Sequence, residues 1–228
     1  MKVCASSRGF KRQFDTGQLT QLEWIDMMCE QALGGVDLSI EHFPRRDDEY
    51  LAQIKKLCVD RNLTIAGVNA GVAFGAGAID PQVKELSGLL DAAAALGAPL
   101  ARFACGTAEG SPGIAWRELV RGLKTASVHA KQCNVTLAVL PKSGSLIATE
   151  AEVKRAFKEC DSAWLRLALP ATPDWELHGR EAVIMVMRAQ GFDVAAAQRF
   201  RGFISLEDES GGDDVEHLRR WIDSLGLR

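Results

Sequence analysis

The chain has 228 residues, 47% of them hydrophobic and 25% charged, which is typical of a soluble globular protein with a sizeable core. Its net charge of -3 and pI of about 5.9 argue against nucleic acid or an anionic membrane as a partner. No stretch approaches the roughly 20 apolar residues of a membrane-spanning helix. Six widely spaced cysteines without a C-x-x-C pair indicate reduced thiols in a cytoplasmic protein, and argue against a disulfide framework or a zinc site.

Short apolar runs alternate with longer amphipathic runs along the chain, a pattern that indicates strands and helices in turn. The sequence predicts strands at 2–5, 36–40, 63–68, 100–104, 135–140, 164–169, 183–187 and 203–206. It predicts helices at 20–33, 48–61, 81–96, 114–132, from 149 to about 160, and at 213–225. Thr20 with Glu23, and Thr149 with Glu152, have the spacing of capping boxes. Gly97 is placed to end the third of these helices.

Regular alternation of strands and helices predicts a parallel sheet, because a crossover helix returns the chain in the same direction. Eight such strands favour closure into a (β/α)8 TIM barrel, with short helical connections around strand seven. The alternative is an open doubly wound sheet. No G-x-G-x-x-G follows the first strand, which weakens a dinucleotide-binding version of that sheet. No linker interrupts the pattern, so residues 1–228 are predicted to form one domain.

In a barrel of this kind the reacting groups lie at the carboxyl ends of the strands and in the loops that follow. Polar residues at those positions are therefore the candidates for a functional site. In strand order they are Ser6, Ser7, Arg8, Asp37, Glu41, His42, Asn69, Arg102, Cys105, Lys142, Ser143, Thr172, Arg188, Glu207, Asp208 and Glu209.

Four segments together resemble the xylose isomerase-like TIM-barrel superfamily, whose members are often called sugar phosphate isomerases/epimerases. They are VDLSIEHFP at 36–44, LTIAGVN at 63–69, AAALGAPLARFACG at 93–106 and NVTLAVLPKSG at 134–144. The resemblance covers most of the chain and is strongest between about residues 1 and 149. It implies the barrel fold and one divalent metal ion, held by side chains on strands five to eight.

The expected metal ligands are mostly missing from this chain. Strand five of typical members ends in a run like L-A-I-E-N-H, and Leu140 stands at the glutamate position. The family's strand-six aspartate and strand-seven histidines are replaced by apolar residues, with Met185 and Met187 taken as the histidine positions. Only Glu207 on strand eight fits. Leu and Ala offer no oxygen or nitrogen to a hard ion, so the sequence predicts no metal and no cofactor at this position.

The resemblance also suggests roles for the remaining polar residues. Arg102 matches a family arginine that often holds substrate, and could grip a carboxylate or phosphate; the alternative is an ion pair with Asp37 or Glu207. Asp37, Asn69 and Arg188 are further candidate substrate contacts.

Three residues are candidates for acid–base chemistry. His42 could be a general acid or base, or a structural histidine. Lys142 could bind an anion or act as a base, or be a solvated loop lysine. Glu207 could be a metal-independent base, or an inherited acid that now pairs with Arg102 or Lys142.

Two functions are consistent with this pattern. The first is a metal-independent isomerase or epimerase acting on a small polyhydroxy or anionic carbohydrate-like substrate, with a possible homo-oligomeric state. The second is a catalytically inactive relative that binds a ligand or a protein, because a fold does not fix its function. A polar mouth where Arg102, Lys142 and Glu207 converge favours the first function. A mouth filled by the apolar side chains of Leu140, Leu169 and Met187 favours the second.

Overall fold

Eight parallel strands pair in chain order, and β1 also pairs with β8, so that the sheet closes into a barrel. The computed structural model describes residues 2–31, 33–108, 110–171, 181–188, 194–207, 215–224 and 226. The strands are β1 (Lys2–Ser6), β2 (Gly35–Ser39), β3 (Thr64–Phe74), β4 (Leu100–Cys105), β5 (Thr136–Leu140), β6 (Leu165–Pro170), β7 (Ala182–Met187) and β8 (Phe203–Leu206). The predicted (β/α)8 barrel is confirmed, and the open-sheet alternative is wrong.

Helices surround this barrel and connect its strands. They are α1 (Lys11–Asp15), α2 (Gln21–Cys29), α3 (Asp48–Asp60), α4 (Ile79–Leu96), α5 (Pro112–Cys133), α6 (Glu150–Cys160), α7 (Val194–Arg199) and α8 (Val215–Ser224). Both predicted capping boxes form, at Thr20 and at Thr149. Gly97 ends α4 with a left-handed φ of 75°, as its position predicted. No helix among the described residues is long and apolar enough to cross a membrane.

Several elements differ from the sequence prediction. α2 ends at Cys29, before the predicted end at 33. A short 3-10 turn and α1 follow β1, where no helix was predicted. β3 continues to Phe74 instead of 68, and its pairing with β4 shifts between Asn69 and Ala73. The connection after β7 is the short helix α7, as predicted, whereas 172–180 before β7 lie outside the described residues.

The inside of the barrel has an apolar side and a polar side. The apolar side is a cluster on β4 to β7 made by Leu100, Ala138, Leu140, Ala168, Ile184 and Val186. The polar side consists of buried residues on β1 to β4 and at β8, namely Ser6, Asp37, Ser39, Asn69, Arg102, Ser205 and Glu207. The buried polar side chains of the barrel interior therefore lie on the side of β1 to β4 and β8 among the described residues.

The faces of β6 and β7 correct one part of the sequence analysis. Leu169, Met185 and Met187 belong to the large cluster between the barrel and its helices, not to the interior cluster. Successive residues of a strand point to opposite faces, so Val186 points inward where Met187 points outward. The register agrees, because Val186 lies opposite Ser205, whose hydroxyl bonds to the interior Asp37. Of the three side chains expected to fill an inactive mouth, only Leu140 faces the interior.

Candidate functional site

Arg102 lies at the centre of the polar side and binds two carboxylates at once. Its Nη2 donates to Oδ2 of Asp37 at 2.8 Å and to Oε2 of Glu207 at 2.5 Å. The three side chains come from β4, from β2 and from the residue after β8, and at most 3% of any of them is exposed. Parallel closure brings these three strand ends together although 65 and 105 residues of sequence separate the pairs. The ion pair proposed as the alternative role of Arg102 is therefore present.

Neighbouring side chains fix both carboxylates in place. Ser205 donates its hydroxyl to Oδ2 of Asp37 at 2.7 Å, and Nδ2 of Asn69 donates to Oδ1 at 3.0 Å. Nη2 of Arg188 donates to Oε1 of Glu207 at 3.2 Å, and Ser6 donates to Oε2 at 3.4 Å. Asp37 and Glu207 are thus held in one geometry by several donors each, as buried charges require.

The charges of Glu207 and Arg102 persist across a wide pH range. Burial alone would raise the pKa of Glu207, but the Arg102 charge and hydrogen bond, with help from Arg8 and Arg188, lower that pKa to about 2. Burial opposes the charge of Arg102, yet Glu207 and Asp37 outweigh it and raise the pKa of the guanidinium further. Glu207 is therefore ionised at neutral pH and is a weak base there.

A cavity of about 290 Å³ opens at this mouth. Its lining includes the predicted site residues Asn69, Arg102, Arg188 and Glu207. Lys142, in the loop after β5, lines the same cavity. The irregular end of β3 forms part of the wall through Gly71, in keeping with the tendency of bulges to occur beside functional sites. Most of the predicted site is thus assembled around one cavity. Asp37 is not among the lining residues, and it contacts the cavity wall through its hydrogen bonds with Arg102 and Asn69.

Two buried polar atoms of lining residues have no hydrogen-bond partner among the described residues. They are Nε of Arg102, a donor, and Oδ1 of Asn69, an acceptor. The orientation of the Asn69 amide follows from its neighbour, because an ionised Asp37 carboxylate only accepts hydrogen bonds and so selects Nδ2. Both atoms are buried, so a ligand or water in the cavity would reach them only after a rearrangement of these side chains.

The described residues of the mouth do not offer the ligands of the divalent metal ion that the family resemblance implies. The inward positions of β5, β6 and β7 are Leu140, Ala168 and Val186, which offer no ligand atoms. Asp37 and Glu207 do carry oxygen atoms, but the guanidinium of Arg102 lies between them and binds both. A metal ion bound by Asp37 and Glu207 would be repelled by the positive charge of Arg102, which lies within hydrogen-bond distance of both carboxylates.

His42 lies outside this cavity, and nothing in its surroundings assigns it a role in catalysis. Its ring stacks on Phe14 of α1, with centroids 4.2 Å apart and an angle of 16° between the planes. Both ring nitrogens are buried without a hydrogen-bond partner among the described residues. Burial, the largest effect, lowers the pKa of His42 to about 4, so the ring is neutral at neutral pH.

One buried member of the network was missed by the sequence analysis, namely Ser205. The signal was available, because Phe203, Ser205 and Glu207 alternate with apolar residues and must share one face of β8. Ser205 lies inside its strand, whereas the sequence prediction rests on residues at strand ends.

Comparisons with known proteins agree with the barrel. A profile of proteins described as xylose isomerase-like TIM barrels matches residues 29–171. No protein of curated function matches significantly. Similar solved structures include the 3-keto-D-glucoside 4-epimerase of E. coli, with 13% identity, a TM-score of 0.79 and 100% of both chains covered. D-psicose 3-epimerase of Clostridium cellulolyticum, crystallised with D-tagatose, has 13% identity and a TM-score of 0.78 over 100% of this chain and 97% of that one.

A further similar structure is described as a family 2 AP endonuclease of Brucella melitensis. It has 17% identity and a TM-score of 0.75, with 98% of each chain covered. At such identities these structures establish the shared fold and not a shared activity.

Proposed function

Since the chain belongs to the xylose isomerase-like TIM-barrel family, we propose that its mouth binds a small polyhydroxy or anionic carbohydrate-like molecule without a divalent metal ion. The observation that carries this proposal is the polar lining of one cavity, which includes Asn69, Lys142 and Arg188. Amide, ammonium and guanidinium groups pair with the hydroxyl and acidic groups of a sugar derivative, which an apolar molecule lacks.

Positive charge at the cavity supports an acidic substituent on this ligand. Lys142 and Arg188 both line the cavity, and either could bind a carboxylate or a phosphate. A volume of about 290 Å³ is at the lower end of the range for ligand pockets. A monosaccharide acid or a short sugar phosphate has the matching size and groups, which supports a substrate class similar to that of the sugar epimerases with the same fold.

Isomerase or epimerase activity would require a base beside the bound sugar. Glu207 has a pKa of about 2 and is bound by two arginines, so it removes protons poorly at neutral pH. His42 is stacked on Phe14 outside the cavity. Lys142 is the remaining candidate of the three, and its amine could abstract a proton next to a carbonyl when neutral.

The second candidate function is a non-catalytic binding protein, and the state of Glu207 favours it. A carboxylate with four neighbouring donors serves to hold Arg102 and the strand ends in place more readily than to exchange protons. Under this alternative the same cavity binds its ligand and releases it unchanged. The six unpaired cysteine thiols support a reducing, cytoplasmic location for either function.

A thermal-shift screen of the chelator-treated protein tests the binding proposal, with sugar acids and sugar phosphates as probes. We expect at least one probe to raise the melting temperature, and Lys142→Ala and Asn69→Ala to reduce that shift. Lys158→Ala, which removes a lysine at the end of α6 far from the cavity lining, is the control and should keep it. A shift of unchanged size in both mouth variants would refute the proposed site.

Incubation of the protein with the bound sugar in D2O distinguishes the two candidate functions. An isomerase or epimerase exchanges a carbon-bound hydrogen of the sugar for deuterium, which NMR detects, and Lys142→Ala should stop that exchange. Binding without any exchange would support the non-catalytic function.

A further inference from the structure

Three potential metal ligands of different types meet on the outer wall of the barrel, away from the mouth. They are Asp91 on α4 and His129 with Cys133 on α5. Nε2 of His129 lies 2.7 Å from Oδ1 of Asp91, and Sγ of Cys133 lies 3.5 Å from the same oxygen. All three ligand atoms are within 4.8 Å of one another, and this is the one such group among the described residues.

We propose that Asp91, His129 and Cys133 form a surface site for Zn²⁺ that ties α4 to α5. Zn²⁺ prefers about four ligands in a tetrahedron, at about 2.3 Å from sulfur and about 2.0–2.2 Å from nitrogen or oxygen. Ligand atoms at those radii lie about 3.3–3.8 Å from one another. The Asp91–Cys133 separation of 3.5 Å already has this value, and the His129–Asp91 pair must open by less than about 1 Å.

The two helices hold the three ligands in this arrangement. His129 and Cys133 are four residues apart and therefore lie on the same face of α5. α4 and α5 pack closely, because a Cβ added at Gly122 of α5 would come within 2.6 Å of Ile79 on α4. The three ligand atoms already lie within 4.8 Å of one another, so shifts of about 1 Å bring them to the separations that the ion requires.

The kinds of ligand select the ion. A thiolate and an imidazole suit Zn²⁺ and other borderline-soft ions, whereas Mg²⁺ and Ca²⁺ require oxygen ligands. The side chain of Asp91 is 62% exposed, so water can take the fourth position. Binding displaces the thiol proton of Cys133 to solvent and leaves the coordinating nitrogen of His129 without a proton, so affinity should rise with pH.

Titration with Co²⁺, a coloured substitute for Zn²⁺, tests this site directly. We expect one ion to bind per chain, with a thiolate-to-cobalt charge-transfer band and tetrahedral visible bands. Cys133→Ser should abolish the charge-transfer band, and His129→Gln should weaken binding by about 100-fold. Cys29→Ser, which changes another half-buried cysteine, should bind Co²⁺ as the wild type does. Circular dichroism shows whether each variant is folded.

Absence of the charge-transfer band in the wild type, or its persistence in Cys133→Ser, would overturn the proposal. A second readout is the melting temperature, since an ion that binds only the folded chain stabilises it. Zn²⁺ should raise this temperature in the wild type and not in Cys133→Ser. An equal rise in both proteins would place the ion elsewhere and also overturn the proposal. None of these results depends on whether the barrel mouth binds a sugar.

Discussion

Arg102 separates two buried carboxylates that would otherwise repel each other in a medium of low dielectric constant. Its removal leaves Asp37 and Glu207 both buried and both without their main partner. Loss of one member of a buried ion pair costs far more than loss of an exposed pair, because the remaining charge cannot return to water.

The Arg102→Leu variant should therefore lose about 3–5 kcal/mol of its free energy of unfolding. Arg121→Ala is the matched control, because it removes an arginine that pairs with Asp80 and Glu118 at the surface, and its unfolding should match that of the wild type. Urea unfolding of the three proteins measures both effects. Equal stability of Arg102→Leu and Arg121→Ala would contradict the proposed role of the buried network.

Glu207 should make the stability of the chain depend on pH in the acid range. Its pKa falls from about 4.5 to about 2 on folding, so the folded state favours the ionised form. The resulting stabilisation is complete above about pH 4.5 and is lost as the pH falls through 2. Urea midpoints measured from pH 5 to pH 3 should decline, and Glu207→Gln should decline less steeply. Parallel curves for the two proteins would show that Glu207 does not carry this effect.

His42 should make the stability of the chain depend on pH in a second, higher range. Its pKa falls from 6.5 to about 4 on folding, so the unfolded chain takes up a proton first as the pH drops. Stability should therefore decrease as the pH falls from 6.5 to 4. His42→Phe keeps the stacking on Phe14, removes two unpaired buried nitrogens and should abolish the loss in this range at little cost at pH 7. A steep loss that persists in His42→Phe would contradict this assignment.

At the scale of elements, local signals predicted the types of element and some of their ends, but not the faces of apolar strands. The capping boxes of α2 and α6 and the glycine after α4 formed as predicted, because each depends on a few neighbouring residues. The run VIMVM contains no polar residue, so its sequence does not reveal that Val186 points inward and Met187 outward. That choice is made by pairing with β8, which is remote in sequence.

The cap of α6 gives a direct test at this scale. The Thr149 hydroxyl accepts a hydrogen bond from the backbone N–H of Glu152, and the Glu152 carboxylate accepts one from the backbone N–H of Thr149. Thr149→Ala should lower the free energy of unfolding by about 1 kcal/mol, since the donors at the helix start lose their partner. Thr125→Ala, an exposed change inside α5, is the control and should be neutral or slightly stabilising because alanine favours helix. Equal stability of Thr149→Ala and the wild type would show that the cap contributes little.

For the whole molecule, the sequence predicted which residues gather at the mouth better than how they pair. Parallel strands fix the end of the barrel at which Asn69, Arg102 and Glu207 lie. Closure between β1 and β8 decides that Glu207 meets Arg102 and not Lys142. The cluster on the outer wall was missed for a similar reason. Cysteine spacing argued against zinc, but one of the ligands, Asp91, belongs to a different helix from Cys133.

The barrel keeps the family's fold, and its mouth is proposed to bind a sugar-like ligand without a divalent metal ion. Calorimetric titration of the best ligand from the sugar panel tests this proposal, with excess chelator in one experiment and with Mn²⁺ in the other. The Cys133→Ser protein serves for both, because it lacks the proposed surface site. We predict dissociation constants that agree within about twofold, less than about 0.5 kcal/mol. Binding that occurs only with Mn²⁺ and disappears in Glu207→Gln would contradict the metal-independent site.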